Sequence, residues 1–471
     1  MTDQAPKHTK KNAAANWRKS FESAKQALVR NIKRHPTRYA VLSLLILGFV
    51  TRFWRFGFPN QAVFDEVYFG KFVSGYYTHE YFFDIHPPLG KLLIAGFAWL
   101  FRYNPTQSFA AIGTTYTDAT YLYLRFLPGL LSALLPLTIY GIGREIKLKH
   151  FTAWVIGMAI VFENAFITQG RFILIDSFLI LFGFASLWAW LVWRRTGQRW
   201  WLVATAILAG LSVSVKWTGL VFVALICAVE LASSIRWQTR LKRLLTIGVI
   251  VATIYVSGFV IHLGLLSRSG AGDVFMTQPF QKTLVGSQFE TVPGVKPLSG
   301  FEKFVELNRE MYAANARLTA GHPYGSRWYG WPIMYKPISY WVEGQSQIWL
   351  FGNPFVWWST SLGVLTAFWL VGRKKIQPKQ LPYLGLMIAG FLLAWLPFAT
   401  ITRVMFLYHY LIPLGFATLI SGFIIDKFSM RQQIATLLWM VVGFILAAPF
   451  TYGYNPSLAL ETFRNLLPIL R

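Results

Sequence analysis

The chain has 471 residues, 55% of them hydrophobic, 17% aromatic and only 14% charged, with a formal charge of +26. That balance excludes an ordinary soluble domain, and because the basic residues lie between long apolar runs it argues for membrane topology rather than nucleic acid binding. One cysteine, Cys227, excludes an intramolecular disulfide and a cysteine-based metal site.

Residues 1–38 form a basic segment, with Lys7, Arg18, Lys25, Arg34 and Arg38 among its cations. It is too long and polar for a signal-peptide n-region, and no small-residue cleavage site follows. Trp17, Phe21, Leu28 and Ile32 recur at roughly helical spacing, so it reads equally as an amphipathic helix on an anionic leaflet or as a disordered cytoplasmic tail. A spanning helix needs about 20 mostly apolar residues. Eleven such stretches follow, near 39–56, 121–143, 151–168, 172–193, 199–215, 217–235, 244–266, 348–371, 382–402, 404–425 and 433–450. The gaps at 168–172 and 215–217 are tight enough for merged or broken helices. With the N-terminus inside, every short cytoplasmic connection is basic (Arg144 to Lys149, Arg194 to Arg199, Arg236 to Arg243, Arg373 to Lys379, Lys427 to Arg431), as the positive-inside rule requires. The expected architecture is an all-α polytopic membrane protein with about 11 transmembrane helices over 39–450 and an external tail at 451–471. Two external loops, 57–120 and 267–347, are too polar to span. The apolar run from Pro88 to Phe101 predicts a short helix along the membrane surface. The second loop reads as an external lid rather than a separate domain.

Chemistry concentrates at the outer ends of the spans. Asp65 and Glu66 follow the first span, flanked by Val63, Phe64, Val67, Tyr68 and Phe69, so at least one carboxylate faces a partly buried site where its charge must be compensated. Asp84, His86 and Lys91 surround Pro87 and Pro88, which stiffen the backbone. No second His or Cys lies at metal-ligand spacing, and zinc is disfavoured. Arg125, Glu163, Arg171, Asp176, Lys216, Arg403 and His409 lie at or near the outer ends of other spans. Each cation alone is explained by snorkelling; their common depth instead suits a polyanionic lipid head group. A carboxylate base and phosphate-stabilising cations fit group transfer from a lipid phosphate to a hydroxyl. A lipid-linked sugar transporter is the alternative from another class, disfavoured by charges clustered at one face and by the lack of an internal repeat.

The blocks FDEVYFGKF, YFFDIHPPLGKLL, LRFLPGLLSALLPLTIY, ENAFITQGRFILIDSFLILF, SVSVKWTGL, HPYGSRWYGWP and FLYHYLIP resemble, in order, those of the protein O-mannosyltransferases, membrane enzymes of GT-C architecture. The resemblance implies a polyprenyl- or dolichyl-phosphate-mannose donor, a Ser or Thr hydroxyl acceptor on a translocated protein, inversion at the anomeric carbon and no nucleotide-sugar site. The translocation machinery is a partner expected alongside. By the same resemblance Asp65 is the base and Glu66 orients it or binds acceptor or sugar. Arg125 holds the donor phosphate, helped by His86 and Lys216, while Asp84, Lys91, Arg171, Asp176 and Arg403 support the site. A related GT-C enzyme moving another sugar to a lipid or glycan is the nearest alternative. Metal-free catalysis is the working expectation, with a divalent cation not excluded. The second external loop has no room for the β-trefoil domain of eukaryotic members, which points to a bacterial type in the plasma membrane.

Overall fold

A computed structural model describes residues 22–23, 25–27, 30–317 and 321–455. Most of the basic tail, including Trp17, Phe21 and Leu28, and most of the external C-terminal tail lie outside the described residues. A helix occurs at each of the eleven expected positions. In chain order these are α1 (Pro36–Phe53), α4 (Tyr121–Glu145), α5 with α6 (His150–Val161 and Asn164–Gly170), α7 (Asp176–Thr196), α8 (Arg199–Val215), α9 (Leu220–Ala232), α10 (Trp237–Leu265), α12 (Pro354–Gly372), α13 (Leu381–Trp395), α14 (Leu411–Ile425) and α15 (Met430–Tyr452). Between them lie α2 (Glu66–Thr78) and α3 (Leu89–Leu100) in the first loop and α11 (Gly300–Arg317) in the second. Among the described residues, seven helices are long and apolar enough to cross a membrane, or eight if α5 and α6 count as one. The count of eleven spans is therefore not confirmed: α8 and α9 are apolar but short, and α1 carries Arg38 and Arg52 within its 18 residues.

The helices form concentric layers. In their most apolar stretches 83% of the residues of α7 and of the span ending in α14 are buried, against 17% for α10, which packs on α8 and lies at the outside of the bundle. Close approach needs small residues, since dispersion and not water exclusion drives helix association in lipid. A Cβ on Gly48 of α1 would stand 2.6 Å from the Ala133 carbonyl oxygen of α4, so those backbones pack in direct contact.

Three departures from expectation have local causes. The third span is broken within, by 54° between α5 and α6, rather than merged at 168–172. Glu163 starts the new helix by accepting the Ala165 N–H at 3.1 Å, and it accepts the Asn353 N–H at 3.0 Å as well. The eighth span starts at Pro354, not 348, because residues 346–350 are sheet. Strands β1 (Ile338–Glu343) and β2 (Ser346–Leu350) pair antiparallel, joined by Gly344 and Gln345. Gly344 has φ +57°, the left-handed conformation a two-residue hairpin turn requires. The apolar Ile348, Trp349 and Leu350 read as the start of a helix only because the next one follows so closely. Finally, α2 was not anticipated in the first loop, while α3 forms where the run after Pro88 predicts it.

Asn353 joins the hairpin to the bundle. Its Oδ1 caps α12 by accepting the N–H groups of Phe355 and Val356, and its Nδ2 donates to the carbonyls of Phe162 (2.9 Å) and Met440 (2.7 Å). Asn353→Ala removes a cap and two side-chain hydrogen bonds that tie the hairpin to Phe162 and Met440. The expected loss is about 2–4 kcal/mol, read as a lower midpoint in thermal unfolding of the detergent-purified protein.

Candidate active site

The first external loop is held by one buried ion pair. Glu66, the first residue of α2, accepts five hydrogen bonds: from Val63 N–H (2.9 Å), Ile173 N–H (2.9 Å), the Tyr116 hydroxyl (2.9 Å), and Nε and a terminal nitrogen of Arg125 (2.7 Å each). Arg125, one turn into α4, also donates to the carbonyls of Pro59 (2.8 Å) and Gln61 (2.9 Å). Both side chains are 0% exposed. Arg125 therefore closes the loop onto α4 and does not face a cleft. The expectation that it holds a donor phosphate gives way to this geometry, because its fully buried guanidinium already makes four hydrogen bonds to carboxylate and carbonyl oxygens. Glu66 is likewise withdrawn from direct contact with acceptor or sugar and fixes the backbone next to Asp65.

Asp65 itself is presented outward. Phe64, just before it, has φ +48°, a left-handed conformation that is unfavourable for a bulky residue and persists only where its surroundings impose it. Here the surroundings are β1: the Phe64 N–H donates to the Tyr340 carbonyl at 3.0 Å, and the two rings stack at 4.0 Å. The half-buried Asp65 carboxylate accepts no hydrogen bond from any described residue. Burial pushes its pKa up to about 7, against the nearby Lys216 ammonium, which lowers it, while Asp176 and Asp84 add to the rise.

The other walls come from helix ends. Lys216, which closes α8, donates to both oxygens of Asp176 at the start of α7, at 2.8 and 3.0 Å. In the first loop Lys91 pairs with Asp84 and also donates to the carbonyls of His86 (3.0 Å) and Pro87 (3.3 Å). Lys91, 1% exposed, thus staples the double-proline turn and leaves the His86 ring free of hydrogen bonds to described residues. Burial holds the His86 imidazole neutral, its pKa well below the ordinary value, reinforced by Lys216, Lys91, Arg403 and His409 around it. Arg403, in the segment between α13 and α14, makes no hydrogen bond or ion pair to a described residue and is half-buried. His409 stacks on Trp331 at 5.7 Å.

The structure therefore gathers Asp65, Asp84, His86, Asp176, Lys216 and Arg403 within electrostatic reach of one another, places Lys91 with Asp84 and His86 on one small cavity, and closes Glu66, Arg125 and Arg171 into their own bonds. Arg171 donates to the carbonyls of Thr451 (2.9 Å) and Arg55 (2.8 Å), tying the outer ends of α1 and α15 together. Among the described residues no three His, Cys, Asp or Glu side chains converge as metal ligands. Sequence reasoning missed Tyr340 and Gln169. A glutamine inside an apolar run was a visible signal; a tyrosine in an unrecognised strand was not.

This arrangement of helices is a GT-C fold. It is similar to the Saccharomyces cerevisiae protein O-mannosyltransferase Pmt1-Pmt2 complex bound to the sugar donor, with a TM-score of 0.84 at 19% identity over 92% of each chain. It is more distantly similar to the Archaeoglobus fulgidus oligosaccharyltransferase, with a TM-score of 0.53 at 12% identity over 93% of this chain and 60% of that one. Residues 42–268 match the family model of dolichyl-phosphate-mannose-protein mannosyltransferase, and residues 300–467 match that of the C-terminal four TMM region of protein-O-mannosyltransferase. The chain belongs to the protein O-mannosyltransferase family. Among curated relatives, Drosophila melanogaster protein O-mannosyltransferase 1 is 32% identical over 316 residues, which is 63% of this chain and 35% of that protein. The chain spans about a third of the length of the curated relatives it matches.

Breaking a buried ion pair from one side leaves an uncompensated charge. Glu66→Ala is expected to cost roughly 3–5 kcal/mol, whereas Arg403→Gln, which loses no hydrogen bond or ion pair to a described residue, should change stability by no more than about 0.5 kcal/mol. Thermal unfolding of both variants in the same detergent checks the contrast.

Proposed function

We propose that this protein transfers mannose from a polyprenyl-phosphate-mannose donor to Ser or Thr hydroxyls of translocated polypeptides, with inversion. The observation that carries the reading is the Asp65 carboxylate, which takes no hydrogen bond from any described residue and whose pKa burial raises to about 7 despite Lys216 nearby. Asp65 accepts the acceptor hydroxyl proton as the oxygen attacks the anomeric carbon. The bond from that carbon to the phosphate oxygen breaks, and the electron pair leaves with the polyprenyl phosphate. Lys216 and Arg403 stabilise the charge gathering on the phosphate, and neutral His86 offers a hydrogen bond without adding charge. Glu66 and Arg125 act at one remove, by fixing the backbone that presents Asp65. Attack by the acceptor directly on the donor sugar inverts the anomeric centre, and a phosphate leaving group needs no general acid. The identity of the sugar comes from the family.

The basic short connections favour a cytoplasmic N-terminus and an external position for these residues. The second external loop, without a β-trefoil, favours a bacterial plasma membrane, where the acceptor meets the enzyme as it leaves the translocation machinery.

The test is transfer by purified protein from radiolabelled polyprenyl-phosphate mannose to a Ser/Thr-rich peptide. Label on the peptide supports the reading; label staying on the lipid under all conditions contradicts it. The base must be ionised to accept a proton, so the rate should rise with pH through about 7 and then level off. A profile flat from about pH 5 to 8 would remove Asp65 from that role. Arg403→Gln should raise KM for the lipid donor by about tenfold or more with a smaller effect on the peptide KM.

A further inference from the structure

Tyr340, in the middle of β1, is fully buried and is tied to two sides of the cleft. Its carbonyl and ring hold Phe64, and through it the backbone of Asp65. Its hydroxyl donates to Gln169 Oε1. Gln169, at the end of α6 and 3% exposed, donates from Nε2 to Asp176 Oδ2 at 2.7 Å. Asp176 in turn accepts from Lys216 at both oxygens. The chain of contacts runs from the hairpin through Gln169 and Asp176 to the ammonium beside Asp65.

The direction of this relay is fixed by its ends. A carboxylate only accepts, so Gln169 must turn its nitrogen to Asp176 and its oxygen elsewhere. The Tyr340 hydroxyl supplies the donor that holds the amide in that orientation. We propose that Tyr340 is a positioning residue that, through Gln169 and Asp176, sets how the Lys216 ammonium stands against the Asp65 carboxylate. This deepens the reading of Asp65 as the base and rests on it. With the hydroxyl removed, Gln169 Oε1 is left buried without its donor, and the amide shifts to find another, loosening its N–H on Asp176. Asp176 then has Lys216 as its main partner and draws the ammonium toward itself, away from Asp65. The other charged and titratable groups facing Asp65 are Asp176 at the start of α7, Asp84 in the first loop, Tyr340 in β1 and Tyr408 just before α14. Tyr340→Phe alters one of them, Tyr340 itself, whereas Gln169→Leu leaves all four side chains unchanged, so a shift shared by both variants belongs to the relay.

Tyr340→Phe keeps the ring stack on Phe64 and removes only the hydroxyl; Gln169→Leu removes the relay's middle. The ionisation midpoint of Asp65 is read in purified protein by infrared difference spectroscopy, as the carboxylic acid C=O band that disappears in Asp65→Asn. Both single variants should raise that midpoint by about half a unit or more, and the double variant should raise it no further than either alone. In the transfer assay kcat/KM should fall by about threefold or more below pH 7 and recover at higher pH, where Asp65 is ionised regardless. An unchanged midpoint in both single variants, or shifts that add in the double variant, would overturn the relay. If the midpoint moves as expected while wild type transfers no mannose to peptide, the relay stands and the proposed reaction is what fails.

Discussion

The structure around the cleft depends on the Glu66–Arg125 pair. A charged pair with no exposure costs several kcal/mol per ion in desolvation unless each remaining lone pair and N–H is matched. Here they nearly all are: Glu66 takes five donors and Arg125 reaches two backbone carbonyls besides. The donors come from the first loop, from the residues before α7 and from α4, so one carboxylate ties three segments together. The neighbouring carboxylate is then presented at a fixed place without being drawn into any bond. Two adjacent acids thus have opposite fates: Glu66 is neutralised by a complete partner set, while Asp65 is kept free and hard to ionise.

The cleft is assembled from helix ends rather than from helix faces. Lys216 closes α8, Asp176 opens α7, and Arg403 lies in the break before α14. Polar side chains at such ends can meet without being carried through the apolar layer, where an unpaired charge is far more costly. The second loop contributes more than a cover. Its hairpin carries Tyr340, which imposes the left-handed backbone at Phe64 that turns Asp65 toward the cleft. Asn353, just past β2, anchors that hairpin to the break between α5 and α6 and to α15.

Much of this was legible in the sequence. Asp65 and Glu66 stand out because acids are scarce and these two follow an apolar span directly; the common depth of the charges announced a single polar layer, and Lys216, Asp176, His86 and Arg403 do meet there. What was not legible is which charges satisfy one another. Arg125 reads as a free cation near a helix end, and only the fold shows it closed on Glu66 from the distant first loop. The hairpin was hidden because Ile348 to Leu350 continue into the apolar run of α12, and periodicity cannot separate a short buried strand from a helix start. The break at Glu163 was hidden for a related reason: a lone acid in an apolar run signals a cost without saying whether a partner or a new helix start absorbs it. The number of spans is not confirmed by the structure, because α8 and α9 have the composition of a span but are short.

In the proposed reaction Asp65 acts on the reacting proton and not on donor binding. The most direct measurement is donor affinity and single-turnover transfer measured side by side for wild type and Asp65→Asn, with polyprenyl-phosphate mannose bound before peptide is added. The account predicts affinity for the donor within about threefold of wild type and a transfer rate from the bound donor lower by about 100-fold or more. Donor affinity lost in proportion to the rate, or transfer at the normal rate, would contradict it.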